Sequence, residues 1–236
     1  MKEFDELREF ESFYDKIKPA YENSENSFVW FTDIPHPLFN TVMHLRDDSD
    51  VDHRIENMIS LTNQNSPLSF WVHSHNGSND LKEILKNKGF QSIMTCPLMT
   101  WDVKHLPSTE HRIEKADFEI FNDLLAKTFH FDENLKTGIA QLFKDVDAEN
   151  YLIYHKDQPV GVGSLIPHQM KGGIFNIAIQ PETQKQGYGK AMMQFLMIRA
   201  AQLSLRKLLL LSPSQTENFY LKLGFKKSFD IEIYVR

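Results

Sequence analysis

The chain reads as a mixed α/β protein built in two halves, and three observations point there. Short apolar runs of strand length alternate with segments of helical periodicity along the 236 residues. In the second half, an antiparallel hairpin over 151–167 leads into a strand–helix–strand unit over 173–212. The two halves also share an ending: LKEILKNKGF at 81–90 is similar to NFYLKLGF at 218–225.

The first half opens on a helix at 3–19, with Phe4, Leu7, Phe10, Phe13, Tyr14 and Ile17 at helical spacing. Strands are predicted at 28–31, 38–45 and 69–72. Helices are predicted at 52–61 and 81–87, the latter closed by Gly89 after a turn at Asn76, Gly77 and Ser78. A long strand over 93–103 is expected to break at Pro97. The polar stretch 104–112 (KHLPSTEHR) marks a boundary between domains 1–111 and 112–236. Beyond it come a strand at 112–116, helices at 118–128 and 133–146, and the hairpin strands 151–155 and 160–167. A strand at 173–180, a long helix at 184–203, an apolar strand at 207–212, a helix at 215–223 and C-terminal strands at 225–236 complete the chain.

Composition narrows the function. Hydrophobic residues at 41% and charged residues at 25% suit a soluble globular protein. A net charge of −6 lacks the basic excess of a nucleic-acid binder, so no nucleic-acid partner is expected. No apolar stretch nears the roughly 18 residues of a membrane span, and residues 1–14 lack a signal-peptide core, so a cytoplasmic protein off the membrane is expected. Cys96 is alone, which excludes an intramolecular disulfide and suits a reducing compartment; its apolar surroundings predict a buried thiol rather than a nucleophile. His73-Ser74-His75 is the one histidine pair at close spacing, with no cysteine or acidic ligand beside it, and no metal site is expected.

The chemistry lies at 174–191 (IFNIAIQPETQKQGYGKA). An apolar strand ends in Gln180-Pro181-Glu182, a glycine-containing turn follows, and a long helix begins. The first N–H groups of a helix have no intrahelical acceptor, and the helix dipole adds roughly half a positive charge there, so such a start binds phosphate. Gly187 and Gly189 let a bulky anion approach the backbone. Other phosphate loops fit less well: GxGxxG fails at Met192 and again at Ile166, and the Walker pattern fails at Ala191.

Gln184-Lys185-Gln186-Gly187-Tyr188-Gly189 matches Q/R-x-x-G-x-G/A, the pyrophosphate loop of the GCN5-related N-acetyltransferase (GNAT) family. Independently, Phe219-Tyr220-Leu221-Lys222-Leu223-Gly224-Phe225 resembles that family's FYxKLGF segment. The resemblance covers roughly 112–236. It implies an acyl-CoA N-acyltransferase fold and transfer of an acetyl group from acetyl-CoA to a primary amine, by direct attack in a ternary complex. It also implies roles. Backbone groups of the strand from Asn176 through Ile177 and Ala178 to Ile179 would meet the pantetheine arm, with an N–H near Ile177 polarising the thioester carbonyl. Backbone N–H groups of Gln186, Gly187, Tyr188, Gly189 and Lys190 would hold the pyrophosphate, with Gln184 starting the turn and Lys185 also among the cofactor-binding residues. Tyr220 would protonate the leaving thiolate. The family's pantetheine-contacting asparagine is replaced by Pro213, and Asn218 is the candidate substitute. His168, Glu182, Glu232 and a water chain stay open as the general base. The acceptor is a small-molecule or peptide amine, and the protein a monomer or homodimer. The alternative is a non-catalytic CoA-binding regulatory module.

The first half has the same layout without the chemistry. Aligning Gly89 with Gly224 puts Leu85 at Tyr220, and Asp52 and Arg54 at Gly187 and Gly189. Asp47, Asp48, Asp50 and Asp52 crowd the equivalent loop, and four carboxylates repel a pyrophosphate by several kcal/mol in a partly dry site. The first half therefore reads as a degenerate GNAT-like domain that binds no CoA, and the whole as tandem GNAT-like domains.

Overall fold

The computed structural model describes residues 2–32, 34–62, 67–73, 79–103 and 110–236. The turn at Asn76–Ser78, the second histidine of the 73–75 pair and most of the 104–112 boundary lie outside them. Among the described residues no group of histidine, cysteine and carboxylate side chains is arranged to hold a metal ion, and no helix is long and apolar enough to cross a membrane.

Two compact units interleave along the chain. One holds Met1–Met99 with Leu211–Phe219 and Lys227–Arg236; the other holds Thr100–Leu210 with Tyr220–Lys226. The sequence reading gives 112–236 whole to the second domain, whereas two C-terminal segments fall in the first unit. The reason is pairing. The last strand lies antiparallel to a strand of the first half, from Ile231↔His73 to Val235↔Ser69.

In the first unit, helix α1 (Lys2–Ile17) precedes strands β1 (Glu22–Asn23), β2 (Ser27–Phe31) and β3 (Asn40–Leu45). Helix α2 (Val51–Leu61), strand β4 (Ser69–His73), helix α3 (Asn79–Asn87) and strand β5 (Gln91–Asp102) follow. The strand order is β1-β2-β3-β4, then the C-terminal strand, then β5. β5 runs unbroken through Pro97, against expectation; the Pro97 carbonyl accepts a bond from the Ser212 N–H, so the residue still serves pairing through its oxygen.

The second unit contains β6 (Ile113–Lys115), α4 (Phe118–Phe129), α5 (Glu133–Phe143), β7 (Glu149–His155), β8 (Gln158–His168) and β9 (Lys171–Ile179). Helix α6 (Tyr188–Gln202) and strand β10 (Lys207–Leu211) complete its βαβ unit. The short helix α7 (Glu217–Lys222) and strand β11 (Lys226–Val235) close the chain. Strand order here is β10-β9-β8-β7-β6. Asp117 caps α4 by accepting from Glu119 and Ile120 N–H, and Asp132 caps α5 by accepting from Leu135 N–H. Phe121, Leu124 and Leu125 of α4 pack on Leu152, Val162 and Ala178 of the sheet.

Each unit contains the same plan: an antiparallel strand pair with a bulge, then a parallel strand reached across a helix. In the first unit the β2–β3 register passes from Phe28↔His44 to Val29↔Val42, leaving Met43 extra. β3 then pairs with β4 only at Thr41↔Ser69 and Val42↔Phe70. The wedge where these strands part is filled by Val42, Leu45, Phe70, Trp71, Val72 and Leu81, leaving a cavity of about 10 Å³, room for a water at most. Beside the start of α2, the chain's own carboxylate takes an anion's place: Asp48 accepts from the Asp50 N–H at 3.0 Å and from Arg54 at 2.8 Å. Leu85, the counterpart of Tyr220, is fully buried in the apolar core. In the first unit, then, the wedge is filled by apolar side chains and the helix start is bonded to the chain's own carboxylate.

Candidate functional site

In the second unit the corresponding wedge has a different character. β9 pairs in parallel with β10 only at Lys207↔Lys171, Leu208↔Gly172 and Leu209↔Gly173. No register pair joins the two strands past Gly173, and by that register residues 176–179 extend beyond Leu211, the end of β10. The other edge is broken too. The β8–β9 register passes from Val162↔Ala178 to Ser164↔Phe175, so Asn176 and Ile177 together oppose Gly163. This is a β-bulge, and Asn176 sits in it with φ of 57°, a left-handed conformation that asparagine tolerates better than most residues. A polar asparagine inside an apolar strand is the sequence signal for it.

Close packing fixes the bulge from one face. A Cβ built on Gly163 would stand 2.9 Å from Ile177 Cδ1 and 2.9 Å from Met192 Sδ; one on Gly161 would stand 2.3 Å from Ile179 Cδ1. The glycines of the hairpin thus make room for the isoleucines of β9 and for α6.

At the C-terminal end of β9 the chain enters a 3-10 turn, Pro181–Thr183, then an exposed loop. The helix starts at Tyr188, four residues later than the sequence predicts, because Lys185 and Gly187 have positive φ (61° and 93°) that no helix accommodates. Gln184 anchors the turn: its Nε2 donates to the Ile179 carbonyl at 3.0 Å. The first helical bond is Ala191 N–H to Gly187 O at 2.9 Å. Among the described residues, the N–H groups of Lys185 through Lys190 meet no protein acceptor. A Cβ on Gly187 would meet nothing within 4 Å, so the approach to these donors is open. Lys185 and Lys190 are exposed beside them.

Several predicted residues have side chains turned to other partners. The Tyr188 side chain turns inward, 7% exposed, with its hydroxyl bonded to His155 Nδ1 and its ring edge-on to His155 and His111. Ala178 lies in the core under α4. Ile177 and Ile179 cover the hairpin glycines. Gln186 bonds back to the Glu182 carbonyl, and Gly189 belongs to the first turn of α6. Asn218 is exposed on α7, in a segment of the first unit. Tyr220 belongs to the second unit, where it is buried edge-on against Phe225 at 5.9 Å. Burial pushes its phenol up to about 12, so it holds its proton at neutral pH.

The base candidates fare unequally. Glu232 belongs to the first unit, where Lys82 and Tyr234 occupy both its oxygens; burial raises its carboxyl, and these partners bring it below the ordinary value. His168 stands opposite Lys171 at the hairpin end. That is five residues, about 17 Å of strand, from the bulge. Glu182 is exposed on the 3-10 turn, at the phosphate-loop end of the strand.

Residues 147–227 match the family model described as the acetyltransferase (GNAT) domain. The fold extends the likeness to the whole chain. A conserved protein of unknown function from Staphylococcus epidermidis superposes with a TM-score of 0.73 at 18% identity, over 92% of this chain and 93% of that one. A GCN5-related N-acetyltransferase from Kribbella flavida superposes with a TM-score of 0.71 at 13% identity, over 97% and 94%. A tandem GNAT protein from the clavulanic acid biosynthesis pathway superposes with a TM-score of 0.58 at 11% identity, over 83% and 74%. No curated protein sequence matches the chain.

Proposed function

We propose that the chain is an acetyl-CoA-dependent N-acetyltransferase acting on a primary amine. The observation that carries this is the continuity of one surface. The bulged end of β9 (residues 176–179), past its pairing with β10, runs straight into the N–H groups of Lys185–Lys190, which meet no protein acceptor among the described residues. A strand edge offers hydrogen bonds to the amides of a pantetheine arm, and a helix start with open donors holds its diphosphate. The residues present fit that cofactor: Gly187 leaves open space, and the flanking lysines carry the complementary charge.

Bound acetyl-CoA supplies an activated acetyl carbonyl. The chain's residues then do three things. The bulge presents backbone N–H near Ile177 to the carbonyl oxygen, where charge accumulates. Tyr220, protonated at neutral pH, gives its proton to the departing thiolate as the C–S bond breaks and the C–N bond forms. The amine loses its own proton to solvent or to a base. In the first unit, Asp47, Asp48 and Asp52 line the pocket beside the start of α2 and repel a diphosphate there.

Calorimetry with acetyl-CoA, followed by thiol release across a panel of polyamines, amino sugars, amino acids and peptides, tests the proposal. Micromolar binding with release for at least one amine is expected. Binding without release for any amine points to the regulatory module instead. Absence of binding overturns the reading.

A further inference from the structure

The bulge in β9 is held by more than packing. On the face of the sheet opposite α6, Asn150 of β7 and Ser164 of β8 are register partners, and Ser164 is almost fully buried, 1% exposed. The Ser164 hydroxyl donates to Asn150 Oδ1 at 2.7 Å. Its oxygen in turn accepts from Asn176 Nδ2 at 3.4 Å. Three strands are therefore linked by a chain of uncharged side chains that ends on the residue whose left-handed φ creates the bulge. Neutral polar groups inside a sheet face that is otherwise apolar (Leu152, Val162 and Ala178 lie alongside) cost solvation, and a fold retains them where they fix a conformation.

We propose that Asn150 and Ser164 tether Asn176 and thereby fix the orientation of the backbone N–H groups at 176–177 that meet the acetyl carbonyl. Asn150 and Ser164 are positioning residues, acting through Asn176 on the backbone. The assignment rests on the acetyl-CoA reading of this strand for its purpose, though not for its existence.

Two measurements separate these levels. The first is amide hydrogen exchange of the free protein at residues 174–178 in wild type, S164A, N176G and S164T. Glycine accepts the positive φ, so N176G removes the tether while sparing the backbone. Exchange about tenfold faster is expected in S164A and N176G, with the double variant adding little and with protection elsewhere unchanged. S164T, which keeps the hydroxyl, returns exchange toward wild type. The second is the infrared carbonyl stretch of bound acetyl-CoA. It is expected to move back toward the free-ligand frequency in S164A and N176G, while affinity for CoA lacking the acetyl group stays within about twofold. Unchanged exchange in both variants overturns the tether. Faster exchange with an unchanged carbonyl band overturns its catalytic purpose. If wild type binds no acetyl-CoA, the functional reading falls, and the exchange measurement alone decides the tether. Should S164A fail to fold, N176G carries the same test.

Discussion

At the scale of single residues, the proposed site divides into groups that would act through side chains and groups that would act through backbone. Tyr220 belongs to the first kind. Its phenol is buried and held at about 12, so replacing it by phenylalanine removes an acid and little packing. Tyr220→Phe is expected to slow the chemical step by roughly 10²–10⁴-fold with acetyl-CoA affinity nearly unchanged, read by single-turnover kinetics beside calorimetry. Turnover at the wild-type rate removes Tyr220 from the reaction. Gly187 belongs to the second kind. An added Cβ finds open space, yet φ of 93° strains any L-residue. Gly187→Ala should cost about 1–2 kcal/mol of stability and weaken CoA binding about tenfold or more, because relief of the strain turns the N–H groups of the loop away. Thermal denaturation and calorimetry on the one variant read both effects. Gly187 was legible in the sequence because a glycine between polar residues, after a strand and before a helix, has few other uses. Asn176 was legible only as a polar residue within an apolar strand, because its place in the bulge depends on register with β8, which no local pattern encodes.

At the scale of elements, the start of α6 must be fixed relative to the sheet, and two contacts do this. Tyr188 reaches His155 at the end of β7. Near its other end, Arg199 grips Glu149 at the start of β7 through two bonds, Nε to Oε2 at 2.7 Å and Nη2 to Oε1 at 2.6 Å. The Arg199 hydrogen bonds hold the Glu149 carboxyl below its ordinary 4.5, against burial, which raises it. A depressed carboxylate contributes stability above the ordinary value and loses it as pH falls through the folded value. Arg199→Met should therefore lower stability by about 1–2 kcal/mol at neutral pH. The difference in Tm from wild type should stay level above the ordinary value of 4.5, narrow as pH falls below it, and close once pH passes the depressed folded value, where Glu149 is protonated in both proteins. A gap independent of pH would show that packing of the arginine stem, rather than its charge, does the anchoring. The helices and strands themselves were readable from periodicity. The late start of α6 was not, because it depends on backbone angles at Lys185 and Gly187.

At the scale of the whole chain, the repeat was legible and the exchange of segments between its halves was not. The shared ending at 81–90 and 218–225 is a local pattern that sequence displays directly. The pairing of β11 with β4 joins residues more than 150 positions apart, and only the folded register reveals it. It has a consequence for dissection. Residues 1–111, cut at the boundary the sequence suggests, lack the strand that lies between β4 and β5. That strand brings Phe229, Ile231, Ile233 and Tyr234, all buried, and Tyr234 belongs to the same core as Phe70, Leu85 and Phe90. Removing them opens two strand edges and a gap in the core, and a fragment of this size has little stability to spare. The 1–111 fragment is expected to show no cooperative urea transition by circular dichroism. Addition of a peptide spanning 211–236 should restore one, with a midpoint that rises with peptide concentration, because binding to the folded form alone draws the equilibrium toward it. A fragment 1–111 that unfolds cooperatively by itself would mean that β4 and β5 close on each other without β11, and that the first unit is the self-sufficient domain its sequence suggests.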